Sequence, residues 1–255
     1  MHILTIPAFT DNYFWLLVNP DTRQAAVVDP GDAAPVEKVL AEHELTLSTI
    51  LITHHHPDHV GGVEALKAHW HAIVYGPNNP SLAFITHTLS EGDSIDVFDH
   101  EFTILNVPGH TLDHIAYFCA HPAPILFCGD TLFAGGCGRL FEGTAEQMLN
   151  SLAKIDALPP LTRIYCAHEY TASNLRFAST VEPDNLALQQ RVADTAKLRE
   201  QHQATVPSTL ALEQQTNPFL RWREPAVKLA AQHRAGTTLD ATGVFRHIRQ
   251  WKDNF

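Results

Sequence analysis

Short apolar runs broken by turn residues fill the first two thirds of the chain. Their β-branched, aromatic and aliphatic character predicts strands at 2–6, 13–18, 25–29, 49–53, 72–75, 94–98, 102–107, 114–119, 124–128 and 163–166. Helical spacing interrupts them at 34–43, at 58–71 (Val60, Val63, Leu66, Trp70) and at 144–156, so strands and helices are mixed. From Thr171 onward the pattern changes, with amphipathic helical stretches at 184–203 and 240–252 and little alternation. This order predicts an α+β chain: a layered α and β domain over 1–170 and a small all-helical domain over 171–255.

Length and composition agree with that division. A chain of 255 residues, 45% hydrophobic, can bury one sizeable core and a smaller second unit. The net charge of −11 is uneven: residues 1–170 carry 6 Lys and Arg against 20 Asp and Glu, whereas 171–255 carry 11 against 8. An acidic first part argues against nucleic acid as a partner, while the basic end suits a small anion. No run is long enough to span a bilayer and the N-terminus lacks a secretory pattern, so neither a membrane partner nor export is expected. Four cysteines, 119, 128, 137 and 166, form no C-x-x-C pair and read as reduced thiols of a cytoplasmic protein.

The candidate chemistry begins directly after the apolar run Thr49–Ile52, where Thr53-His54-His55-His56-Pro57-Asp58-His59 packs five potential ligands into six positions. Read as a strand leaving a sheet, period two puts His54 and His56 on one side and His55 on the other. Asp58 and His59 then open the next helical segment. Three further apolar runs end in a turn and a ligand: Pro108-Gly109-His110, Gly129-Asp130 and Ala167-His168. Rigid strand ends are where functional side chains gather. Seven ligands, His54, His56, Asp58, His59, His110, Asp130 and His168, exceed one tetrahedral shell and suit two ions bridged by a carboxylate. Imidazole and carboxylate without thiolate favour zinc, with iron or manganese compatible. His114 reads as a residue supporting the ligands. A single histidine elsewhere is ordinarily a solvated or hydrogen-bonded side chain, but four titratable groups this close are costly to bury without a cation. No G-x-S-x-G elbow offers a serine route.

The set H-x-H-x-D-H, Pro108-Gly109-His110-Thr111, Gly129-Asp130-Thr131 and Ala167-His168-Glu169-Tyr170 resembles the metallo-β-lactamase superfamily. The tract Cys137–Gly143, His168-Glu169-Tyr170-Thr171, Asn217-Pro218 and Arg249-Gln250-Trp251-Lys252-Asp253 resembles, more narrowly, the glyoxalase II family of hydroxyacylglutathione hydrolases. The resemblance implies an αββα sandwich followed by a helical substrate-binding domain. It implies His54, His56 and His110 on one ion, Asp58, His59 and His168 on the other, and Asp130 between them, with Asp58 orienting an activated water. It further implies hydrolysis of S-(2-hydroxyacyl)glutathione, such as S-lactoylglutathione, to glutathione and D-lactate, the second step of methylglyoxal detoxification, by a monomer. Arg139, Phe141, Tyr170, Asn174, Arg249 and Lys252 are the implied glutathione contacts, Phe141 standing where some members have tyrosine. The alternatives are another hydrolase of the superfamily, an iron-dependent sulfur dioxygenase of the same fold, or a metal-stabilised binding protein without catalysis.

Overall fold

A computed structural model describes residues 1–255. By compactness the chain divides into two discontinuous units, one formed by Met1–Asn106 with Asp113–Gly129, the other by Val107–Leu112 with Asp130–Phe255.

The first unit holds β1 (His2–Ala8), β2 (Asn12–Val18), β3 (Gln24–Val28), α1 (Ala33–Glu42), β4 (Thr46–Leu51), α2 (Pro57–Val60), α3 (Val63–Trp70), β5 (Ile73–Pro77), β6 (His87–Leu89), β7 (Ser94–Asp96), β8 (Glu101–Asn106), β9 (Ile115–Cys119) and β10 (Ile125–Gly129). One sheet runs β1-β2-β3-β4-β5-β6. Its first two pairings are antiparallel, made by hairpins, and the next three parallel. Parallel neighbours need a crossover, and α1 and α3 supply two of them. The strands β10-β9-β8-β7 form an antiparallel meander. Alternate residues of the first sheet, including Phe14, Leu16, Val27 and Ile50, pack with Val36 and Leu40 of α1 and Val63 and Leu66 of α3 in one apolar core. Trp15, Leu17 and Val28 are buried as well, so the sheet is covered on both faces. The Tyr117 hydroxyl of β9 donates to the Ile52 carbonyl at 2.8 Å, tying the meander to the end of β4.

The helix expected over 58–71 is two helices. A Cβ on Gly61 would fall 2.5 Å from the Gly31 carbonyl oxygen and one on Gly62 2.5 Å from the Ala33 nitrogen, so the chain here must pass backbone against backbone. Gly62 N–H donates to the Pro30 carbonyl rather than continuing α2. The break makes α2 a single turn carrying Asp58 and His59.

The second unit contains β11 (Leu132–Phe133), β12 (Gly136–Cys137), α4 (Ala145–Asp156), β13 (Arg163–Cys166), α5 (Thr171–Val181), α6 (Leu186–Glu200), β14 (Ser208–Thr209), α7 (Leu210–Thr216), α8 (Pro225–Ala235) and α9 (Ala241–Asp253). α4 opens with a reciprocal capping box between Thr144 and Gln147, and Asn185, Thr209 and Asp240 cap α6, α7 and α9. The helical run after Thr171 is interrupted only by β14, two residues pairing with β13. All four cysteines are buried free thiols, and burial pushes Cys137 up to about 11 and Cys166 up to about 12.

Candidate active site

In the first unit the ligand-rich stretch is organised by a residue that the sequence reading passed over. Asp29 follows β3 with φ 50 and is buried. Its carboxylate accepts from the Thr53 backbone N–H at 2.7 Å, from the Thr53 hydroxyl at 2.7 Å, and from His59 Nδ1 at 3.0 Å. The Thr53 hydroxyl proton is therefore committed to Asp29, which leaves its oxygen to accept from His54 Nδ1 at 3.0 Å. Both histidines are thereby fixed with the proton on Nδ1 and the lone pair on Nε2.

His54 Nε2 lies 3.1 Å from His56 Nδ1, and His59 Nε2 lies 3.5 Å from Asp58 Oδ2. Asn12 donates its side-chain amide to that same Asp58 oxygen at 3.0 Å. The strand expected to reach Thr53 ends at Leu51, so the approach of His54 and His56 comes not from sheet pleating but from the Asp29 anchor on Thr53 and from Pro57 starting α2. His55 points elsewhere, bonding Asp113 at 2.9 Å, and His114 stacks on the His54 ring at 4.5 Å. Gly31 is required beneath this turn, since a Cβ there would meet the Asp58 carbonyl oxygen at 1.9 Å.

In the second unit Gly109, at φ 153 and against Met148, lets the Pro108-Gly109 turn lie on α4, where Ser151 donates to the Pro108 carbonyl. His110 Nδ1 donates to the Arg139 carbonyl at 2.9 Å, again leaving the Nε2 lone pair forward. That Nε2 stands 3.4 Å from Asp130 Oδ2, while His168 Nε2 stands 3.4 Å from Asp130 Oδ1. One buried carboxylate thus divides its two oxygens between two imidazoles. The His168 ring stacks on Tyr170, centroids 4.7 Å apart, and Phe133 sets its edge against both.

His110 and Asp130 form part of the wall of a cavity of about 430 Å³ within this unit. Arg139, Phe141, Tyr170, Asn174, Arg249 and Lys252 line the rest together with Phe133, Cys137 and Ser173, which the family resemblance had not placed among the contacts. Arg249 is only 4% exposed. Its guanidinium donates to the Cys137 carbonyl and to Asp253, and sits over the Phe219 ring. Burial, then the Arg249 and Arg139 charges, hold the Lys252 ammonium below the ordinary lysine range. Asn174 is buried and donates to the Ala134 carbonyl. Phe141, 65% exposed, rests edge-on against His110 at 5.2 Å.

The donors fit divalent metal. Imidazole lone pairs facing carboxylate oxygens are two acceptors facing one another, an arrangement that a shared proton or a cation reconciles. The carbonyl holding His110 Nδ1–H and the Asp29–Thr53 relay behind His54 and His59 take up the Nδ1 protons, so in all three rings Nε2 is the nitrogen left to meet a metal. The set lacks thiolate, which suits zinc, iron or manganese alike.

Comparison with known proteins follows the same lines. Residues 9–168 match the family model described as the metallo-beta-lactamase superfamily, and residues 169–255 match hydroxyacylglutathione hydrolase C-terminus. The hydroxyacylglutathione hydrolase of Pseudomonas aeruginosa is 54% identical over 259 residues, with 100% of each chain covered. That of Albidiferax ferrireducens is 50% identical over 257 residues, again with 100% of each covered. Among solved structures, ETHE1 from Myxococcus xanthus is similar with a TM-score of 0.68 and 26% identity, over 98% of this chain and 90% of that one.

Proposed function

Because this chain belongs to the hydroxyacylglutathione hydrolases of the metallo-β-lactamase superfamily, and so is a metal-dependent thioester hydrolase with the αββα fold, we propose that its seven His and Asp donors hold two ions and that its cavity takes the glutathione moiety. His54, His56 and His110 would hold one ion, Asp58, His59 and His168 the other, with Asp130 bridging. Zn²⁺ is the first choice, on donor chemistry. Bound there, two divalent ions would lower the pKa of a water and polarise the thioester carbonyl.

The chain's own residues supply the rest. Asp130 carries the reading, because its two oxygens are already divided between His110 and His168 at the cavity wall. Asp58, held by the Asn12 amide, is placed to orient the attacking water. Arg139 and Lys252 offer cationic donors to a glutathione carboxylate, and Arg249 adds its positive charge to the same wall while bonding Cys137 and Asp253. Tyr170, stacked on His168, and Asn174 line the same cavity, and Phe141 offers it an apolar face without a hydroxyl. Residues 1–170 would thus carry the metals, and the substrate contacts would be shared, Arg139, Phe141 and Tyr170 from 1–170 and Asn174, Arg249 and Lys252 from 171–255. No helix is long and apolar enough to cross a membrane. The reading places a monomer in the cytoplasm with no nucleic-acid partner. Neither a sulfur dioxygenase nor a non-catalytic binding protein is favoured by relatives named hydroxyacylglutathione hydrolase along the full chain.

The direct experiment is hydrolysis of S-lactoylglutathione followed by metal analysis of the same sample. Turnover with two divalent ions per chain is expected. Two bound ions without turnover would refute the substrate, and turnover with one ion would refute the binuclear assignment.

A further inference from the structure

Asn217-Pro218 belongs to the motifs that carry the family resemblance, yet Asn217 neither lines the cavity nor stands among the metal donors. It is fully buried. Its side-chain NH2 shares two hydrogens among three acceptors, the carbonyls of Phe133 at 3.1 Å and Gly136 at 2.9 Å and Glu213 Oε2 at 3.1 Å, while its oxygen accepts from the Phe219 N–H. Glu213, also fully buried, accepts from the Gly135 N–H at 2.8 Å, its other oxygen being taken by Arg191 and Ser208. Asn174 donates to the Ala134 carbonyl and Arg249 to the Cys137 carbonyl. Every residue from Phe133 to Cys137 therefore has a backbone group held by a side chain from the helical part of this unit.

The grip matters because β11 and β12 have two residues each and cannot hold a register alone. It also matters because of what flanks them. Gly138 N–H donates to the Thr131 carbonyl, and a Cβ on Gly138 would fall 2.0 Å from the Asp130 carbonyl oxygen, so the far end of the hairpin lies directly on Asp130. The next residue, Arg139, supplies the carbonyl that fixes the His110 tautomer. A shift of the hairpin displaces Asp130, the His110 acceptor and the Phe133 wall together.

We propose that Asn217 and Glu213 are positioning residues for hydrolysis: by holding the backbone of 133–137 they set where Asp130 stands between His110 and His168. This rests on the reading that Asp130 bridges two ions. The test uses the metal-loaded full chain carrying Asn217→Ala, which removes the grip, and Asn217→Ser, which keeps an acceptor for the Phe219 N–H but lacks the amide donors. Val227→Ala, a buried change on α8 outside the grip, serves as the comparison. Read out are kcat and KM on S-lactoylglutathione well below each Tm, and the rate at which a chromophoric chelator removes metal.

Both Asn217 variants are expected to lose between about tenfold and about a hundredfold in kcat/KM, the scale of an ångström-sized misplacement, and to release metal faster. Val227→Ala should lower Tm alone. Should Asn217→Ala fail to fold, Asn217→Ser carries the test. Asn217 variants with wild-type kcat, KM and metal release, changed only in Tm as Val227→Ala is, would overturn the proposal. Asp130→Asn with wild-type metal retention would instead remove the bridging reading, and it is detected without touching Asn217.

Discussion

Replacing Asp29 by Asn changes one oxygen into an NH2 group and should reverse the protonation of two histidines. The backbone tolerates it, since Asn accepts the left-handed conformation that position 29 adopts at φ 50. The Thr53 N–H needs an acceptor at 2.7 Å, so the amide oxygen takes that side. The new NH2 group then faces the Thr53 hydroxyl and His59 Nδ1, both of which donate to Asp29 in the native chain. His59 must now accept at Nδ1 and carry its proton on Nε2. Thr53, receiving a hydrogen bond, turns its own proton towards His54 Nδ1, with the same result there. Two Nε2 lone pairs are lost without either histidine being mutated.

The size of the effect follows from what is exchanged. Three hydrogen bonds to a buried carboxylate, each contributing about 1.5–3 kcal/mol, become neutral ones of about 0.5–1.5 kcal/mol, so a stability loss of roughly 3–4 kcal/mol is expected. Disturbing a group that orients a ligand costs about 10- to 100-fold in metal affinity. Metal content and chelator competition measure the affinity, and ¹⁵N chemical shifts of the imidazoles report the tautomers. Asp29→Asn protein that binds two ions at wild-type affinity and keeps the proton on His59 Nδ1 would refute the reasoning.

The remaining predictions concern the cavity. Because burial and the Arg249 and Arg139 charges lower the Lys252 pKa below 10.5, the unfolded chain binds this proton more tightly, and stability rises with pH between the lowered value and 10.5. Across that same window the cationic form is lost, so KM for the glutathione thioester should rise; in Lys252→Arg the rise should move to higher pH, and a KM flat across the window would remove Lys252 from substrate binding. Phe141→Tyr adds a hydroxyl at an exposed cavity edge, and one new hydrogen bond should lower KM by about two- to tenfold. An unchanged KM there would show that glutathione passes position 141 without a polar contact.

How much of this was legible in the chain depended on how local each cause is. The apolar runs ending in Leu51, Asn106, Gly129 and Cys166 are strands because their apolar composition alone suffices, and each leads to a proposed ligand. β6, β11, β12 and β14 are two or three residues long, too short for a period of two to show. The continuous pattern from Val60 to Trp70 concealed a break whose cause, the backbone of Pro30–Ala33, lies some thirty residues earlier. Asp29 closes the β3 run much as Asp130 closes β10, so the pattern that exposed one ligand was present for its organiser too. The buried hydrogen bonds of Glu213 and Asn217 left no such trace, because their partners lie about 80 residues away.

That division has a chemical consequence. The proposed ligands are recognised by short spacing, but whether a histidine can ligate is decided at its other nitrogen. For His54 and His59 that decision belongs to Asp29, directly or through Thr53, and for His110 it belongs to the carbonyl of Arg139, whose hairpin is held in turn by Asn217 and Glu213. A chain could therefore keep all seven donors and still bind metal poorly, having lost only acceptors remote in sequence. Conversely, moving the motif alone onto another strand end would carry the donors without their tautomers. The metal-binding capacity resides in the acceptors behind the rings as much as in the rings themselves.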